Sequence, residues 1–288
     1  MATIKSFIKN HPVLTYFAAA FAISTGGILM VVISAGLPLN IMTSPILPLA
    51  LFAGPSVASL LLTGLVSGRA GYRDLLSRLF RWRVDARWYA VAILTTPLVV
   101  TPILLALSRL SPEFLPAIVT EDDKATVLLL GIVAGLMGGV LEELGWTGFA
   151  VPRLQRRYSA FTTGLIVAAV WAVWHAPITY WSTVSPAGVL DWSLFLPPMT
   201  FYVAVLPAFR MLMVWVYNRT ESLLVAMLMH TSLAACTFVI LLPPAQGMSL
   251  ITYYLVLAAA LWGIVAAVRG QLRYPRGLAN ASPYAYHK

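Results

Sequence analysis

Long apolar runs, each of a length that crosses a bilayer as a helix, set the pattern of this chain. They fall at 13–36, 46–68, 88–108, 125–147, 161–181, 196–217, 222–243 and 249–268. Pro, Gly and clustered charges separate them. Unbroken runs of this kind specify membrane helices rather than the interrupted stripes of a soluble core. The expected fold is all-α: a polytopic transmembrane bundle of about eight spans, forming one integral membrane domain over 1–288. The stretch 271–288 reads as a loose extension. Lys5 and Lys9 precede the first run, which is longer than the apolar core of a signal peptide and therefore reads as an uncleaved span.

The charged residues orient the bundle. With the N-terminus inside, 16 of the 19 Lys and Arg residues fall on the cytoplasmic side. They include Arg69, Arg73, Arg78, Arg81, Arg83 and Arg87 between the second and third runs, and Arg153, Arg156 and Arg157 between the fourth and fifth. The outer loops carry Glu113, Glu121, Asp122, Asp123 and Asp191. That bias is the positive-inside pattern and places both termini in the cytoplasm. In 71–83, GYRDLLSRLFRWR, Leu75, Leu76, Leu79 and Phe80 share a helical face with Arg73, Arg78 and Arg81 turned away, which suits a helix lying in the interface as a lipid anchor. Trp88, Trp181, Trp192 and Tyr217 fall near span ends, as an aromatic belt does.

Composition adds one exclusion. With 60% hydrophobic and 10% charged residues, and a mean hydropathy of +0.84, the chain lacks the polar surface of a soluble domain. The net charge of +9 accordingly indicates loops against anionic lipid and no nucleic-acid partner. The lone cysteine, Cys236, excludes an intrachain disulfide and reads as a small buried hydrophobe.

Ionisable groups inside a membrane cost at least about 2.5–3.5 kcal/mol each, so their presence marks function. Glu142 and Glu143 are adjacent in the fourth run, His175 lies in the fifth and His230 in the seventh. Counted at about 1.5 Å per residue from the cytoplasmic ends of these runs, Glu142 is roughly 8–10 Å deep, His230 roughly 12 Å and His175 roughly 20 Å. A shared pocket in the inner half of the bilayer is feasible. Gly131, Gly135 and Gly139 recur every four residues with Glu143 next in register, and Gly138 precedes Glu142 by four; such a stripe admits a close helix neighbour. Pro177 loosens the helix near His175. Arg210, alone within the sixth run, reads as a structural group paired with a carboxylate or with helix carbonyls.

A carboxylate in an apolar site can serve as a general base near neutrality. A neighbouring His can hold a water in line or protonate a leaving amine, and a second can stabilise an oxyanion. Glu142, Glu143, His175 and His230 thus form a hydrolase constellation. Zinc is a possible cofactor, since two His and a Glu can bind it, but the groups come from three helices without H-E-x-x-H spacing.

The segment EELGWTGFAVPRLQ, residues 142–155, resembles the first motif of the CAAX-protease and bacteriocin-processing family, whose pattern is two Glu, three residues and usually Arg. WAVWHAP, residues 171–177, resembles the second motif, an aromatic followed four later by His. HTSLA, residues 230–234, resembles the third, His followed four later by Asn. The motifs stand in the family's order over about 125–243. The resemblance implies an eight-helix fold and hydrolysis of a peptide or lipidated protein substrate inside the membrane. Glu142 would activate water with His175 assisting, His230 would help stabilise the oxyanion, and Glu143 would orient its neighbours. Two positions depart from the pattern. Ala234 replaces the Asn donor, a loss of a kind that can lower a rate 10²–10³-fold. Thr147 replaces the Arg that would pair with the carboxylates, leaving Arg153 as a basic group nearby in sequence. The alternatives are a zinc-dependent form of the same protease, a proton- or metal-coupled transporter, since Glu and His also build relays, and a catalytically weak membrane partner.

Overall fold

The computed structural model describes residues 2–39 and 46–271. Among them, eight helices are long and apolar enough to cross a membrane: Pro12–Ala35, Ile46–Leu79, Ala86–Leu107, Lys124–Leu154, Ala160–Thr183, Trp192–Thr220, Leu223–Ile240 and Gly247–Val268. They are called the first to eighth spans below. The protein is a multi-pass integral membrane protein, all-α as its apolar runs require; the described residues contain no strand beyond one isolated bridge, Val184 to Leu190. A short helix, Ala2–Asn10, precedes the first span. The extension expected at 271–288 lies, apart from Gln271, outside the described residues.

Span starts follow local chemistry. Asp123, Ser159, Asp191 and Ser222 each cap a helix by accepting a backbone N–H from the first turn, which satisfies donors that an α-helix leaves unpaired. Pro177 does not break the fifth span, which runs unbroken from Ala160 to Thr183.

The fourth and seventh spans pack along the glycine stripe. A Cβ built on Gly135 would stand 2.6 Å from the Thr231 carbonyl oxygen, and one on Gly131 would stand 2.5 Å from the Ile240 side chain. Only bare backbone permits that approach. On the other flank, the hydroxyls of Ser56 and Ser59 in the second span donate to the carbonyls of Leu141 and Leu144. A Cβ on Gly145 would stand 2.6 Å from the Pro55 carbonyl oxygen. The stretch carrying the two glutamates is therefore clamped from both sides.

Five sequence expectations change here. The fourth span continues through a π-helical segment, Trp146–Ala150, to Leu154, instead of ending near Thr147. The second span continues to Leu79 across a kink at Gly68, with φ 57°. Arg78 is not turned away to lipid: it is buried, and its guanidinium donates to the Tyr217 hydroxyl, the Gly148 carbonyl and Asp74. Leu75 packs on Leu223 and Met227, while Leu76 and Phe80 stay exposed. Of the expected aromatic belt, Trp192 is exposed, but Trp88 packs edge-on against Trp215 and Tyr217 is buried. Cys236 is only partly buried.

Candidate active site

The fourth, fifth, sixth and seventh spans converge on one buried polar cluster. Glu142 and Glu143 are adjacent on the fourth span, so their side chains diverge by about 100° around the helix. Each enters a different environment.

Glu143 is saturated. Its Oε1 accepts from Arg210 Nη2 at 2.8 Å and from His230 Nδ1 at 2.9 Å. Its Oε2 accepts from Arg210 Nη1 at 2.9 Å and from the Thr147 hydroxyl. The Arg210 fork is bidentate and both side chains are fully buried. Such a pair has the strongest geometry available to a carboxylate. The guanidinium also lies over the Trp171 ring, 4.1 Å from its centroid, a cation–π contact.

Glu142 is held on one oxygen. Its Oε2 accepts from the indole N–H groups of Trp146, at 3.1 Å, and Trp171. Its Oε1 faces His230 Nε2 at 3.8 Å, too long for a direct hydrogen bond. His230 therefore bridges the two glutamates: Nδ1–H donates to Glu143, and Nε2 points at Glu142.

His175 belongs to the same cluster through Trp171. Its Nδ1 stands 2.9 Å from the Trp171 carbonyl; a carbonyl only accepts, so Nδ1 carries the proton and Nε2 offers a lone pair in the neutral ring. The ring is held flat against Tyr202, with centroids 4.1 Å apart and planes 16° from parallel. Tyr202 lies in a second π-helical segment, Phe201–Val205. A third, Cys236–Ile240, follows His230 on the seventh span. Segments of this type inside α-helices shift the helical register and occur often at functional sites.

Glu142, Glu143 and His230 thus meet directly, and His175 joins them through Trp171. The gap in depth between Glu142 and His175 counted from sequence closes because the fourth span ends at Leu154, putting Glu142 about 18 Å from the helix end; His230, near the start of the seventh span at Leu223, reaches them because the helix ends do not share one level. Arg153 does not serve the carboxylates: it donates to the Phe149 carbonyl and Ser67, and stacks on Phe149. Arg210 takes that place from the sixth span, with Thr147 bonded to Glu143 and 3.4 Å from Arg210 Nη1. A single cation inside an apolar run is a readable signal that a buried anion awaits it; which anion is not readable. Trp171 carried its place in the second motif but not its hydrogen bond to Glu142, and Trp146 and Tyr202 carried no signal beyond aromaticity. At the third motif, Ser232 donates away from the cluster to the Ile93 carbonyl, and the buried Thr231 hydroxyl has no hydrogen-bond partner among the described residues. Among the described residues no group of three or more His, Cys, Asp and Glu is disposed to hold a metal ion; the Nδ1 atoms of both histidines are committed to other acceptors.

Comparison with known proteins agrees with the motifs. Residues 124–236 match the family model described as type II CAAX prenyl endopeptidase, Rce1-like. The chain is 25% identical over 183 residues to CAAX prenyl protease 2 of Methanococcus maripaludis. That alignment takes in 61% of this chain and 65% of the relative, just under two thirds of its length. The resemblance read from the three motifs is borne out over this stretch.

Proposed function

We propose, with the family match over residues 124–236 as premise, that this chain is an intramembrane endopeptidase using a glutamate-activated water. The observation that carries the reading is the pair formed by Glu142 Oε1 and His230 Nε2, facing each other at 3.8 Å in a buried site. The substrate class is a membrane-presented peptide, with a lipidated C-terminus as the first candidate.

In this reading Glu142 takes a proton from water as the oxygen attacks the scissile carbonyl carbon. The carbonyl electrons move onto oxygen, forming a tetrahedral oxyanion. His230, in its protonated form, donates from Nδ1 to Glu143 and from Nε2 to that oxyanion. As the C–N bond breaks, the proton held by Glu142 passes to the leaving nitrogen, giving one acid and one amine. His175 Nε2 assists by accepting from the water. Arg210 and Thr147 fix Glu143, and Glu143 fixes the His230 ring; these three are positioning residues. In this reading the basic loops face the cytoplasm, by the positive-inside bias of the sequence.

The test is cleavage of a farnesylated C-terminal peptide by the purified protein in detergent, beside the unprenylated peptide, Glu142→Gln and a chelator. Loss of cleavage in Glu142→Gln with full activity in chelator supports the reading. Loss on chelation with recovery on added zinc replaces it with a metal-dependent form. Retained cleavage in Glu142→Gln overturns it.

Ala234 favours a second reading, a family member of weak activity. Ala234→Asn restores a donor one turn beyond His230 and should then raise kcat, by at most about 10²–10³-fold. An unchanged kcat would mean that the oxyanion is served by other groups.

A further inference from the structure

The glycines of the fourth span do not share one role. A Cβ on Gly139 would stand 2.7 Å from the Met227 carbonyl oxygen and 2.8 Å from the Thr231 amide nitrogen. Those distances, like the ones at Gly131 and Gly135, describe helix-to-helix contact. Gly138 is buried too, yet a Cβ there would meet no helix backbone. The atoms within 4 Å would be Glu142 Oε1 and His230 Nε2, each at 3.7 Å.

Those are the two atoms that face one another at 3.8 Å, and neither makes a hydrogen bond to a described residue. The Gly138 Cβ position and these two atoms therefore form a nearly equilateral triangle. An oxygen at hydrogen-bond length from both atoms, about 2.8 Å, lies about 2 Å to one side of the line between them. On the Gly138 side it would overlap a side-chain carbon at this position. A distance of 3.7 Å from each polar atom is otherwise an ordinary van der Waals contact, so the fold itself makes no demand for glycine here.

We infer that the bare face of Gly138 is the seat of the attacking water and of the scissile carbonyl it meets, and that Gly138 is a positioning residue for the reaction. Glycine at 138 keeps open the corner where the base and the ring nitrogen converge. The inference rests on the proteolytic reading above and adds the location of the reacting atoms within the cluster.

The experiment compares Gly138→Ala, Gly139→Ala, Glu142→Gln and wild type as full-length protein in detergent, with kcat, KM and thermal unfolding for each. Alanine is the better helix former, so Gly138→Ala should unfold no earlier than wild type. Its KM should hold while kcat falls about 10²-fold, the scale set by displacing a reacting atom by about an ångström. Gly139→Ala should unfold earlier, because its methyl meets backbone. If Gly138→Ala keeps kcat within about threefold of wild type while Glu142→Gln is inactive, the seat lies elsewhere and the proteolytic reading stands. If Gly138→Ala unfolds well before wild type, Gly138 is a packing glycine and the inference falls. A wild type that cleaves no peptide overturns both.

Discussion

Arg210 grips both carboxylate oxygens of Glu143, at 2.8 and 2.9 Å, from a helix 67 residues further along the chain. The pair is fully buried, and it divides the labour of two adjacent glutamates. Glu143 is ionic, bidentate and fixed. Glu142 keeps one oxygen free of hydrogen bonds to the described residues and turned toward His230.

Removing the cation should expose that division. Arg210→Met leaves Glu143 a buried carboxylate without its guanidinium partner, and breaking a buried ion pair of this kind costs about 3–5 kcal/mol. The expected outcome is a markedly lower unfolding temperature in detergent and loss of cleavage. Arg210→Lys should recover only part of the stability, because an ammonium cannot reproduce the planar fork. The double variant Arg210→Met/Glu143→Gln should unfold later than Arg210→Met alone while staying impaired in kcat. Equal unfolding temperatures for Arg210→Met and wild type would contradict the pair's role.

Trp171 ties three groups together: its indole N–H donates to Glu142, its carbonyl accepts from His175, and its ring carries Arg210. Trp171→Phe retains the carbonyl and an aromatic face but loses the donor. A charge-assisted hydrogen bond of about 1.5–3 kcal/mol is removed. The expectation is a fall in kcat of at least about tenfold, with a shifted pH–rate profile and a small change in unfolding temperature. An unaltered profile would show that the indole does not tune the base.

Arg78 fastens the second span to the segment following the glutamates through the Gly148 carbonyl and to the sixth span through the Tyr217 hydroxyl, each at 3.0 Å. Arg78→Ala leaves a buried carbonyl unsatisfied, at about 1–3 kcal/mol. Unfolding temperature should drop while KM for substrate holds. Gln at this position, which can still donate to one of the two oxygens, should fall between.

Asp123 and Asp191 cap the fourth and sixth spans outside the apolar segments. Hydrogen bonds from the Thr126 and Ser193 side chains and backbone hold both carboxyls below their ordinary value of 3.8. A carboxylate with a depressed folded value stabilises above its unfolded pKa and loses that contribution as pH falls through the folded one. Amide exchange at Thr126 and Ser193 should therefore accelerate only below about pH 4. In Asp123→Asn and Asp191→Asn that acid step should vanish, since Asn caps without titrating. An acid step surviving in the Asn variants would assign it to other groups.

The bundle could be read from sequence because lipid imposes a simple requirement: each crossing segment must be long, apolar and internally hydrogen-bonded. The runs over 13–36 and 249–268 became the helices Pro12–Ala35 and Gly247–Val268, with no end moved by more than two residues. The same requirement made Glu142, Glu143, His175 and His230 conspicuous, since polar groups at that depth need a reason. The glycine register of the fourth span announced a close neighbour, and the seventh span proved to be that neighbour.

The tertiary structure decided how these helices stand against one another. Apolar runs carry little information about azimuth or axial offset, because lipid tails and leucines are equally apolar. So the sequence could mark Arg210 as a buried cation but not choose Glu143 over a helix carbonyl, and it favoured Arg153 by proximity alone. It could not turn Arg78 inward, where a free carbonyl at Gly148 receives it. Nor could it assign different tasks to two neighbouring glutamates: that depends on which side chains of the fifth, sixth and seventh spans arrive on each side of one helix. Chain composition determined the membrane, the helices and the inventory of reactive groups. Helix packing determined which of those groups is held fast and which is left with an oxygen to use.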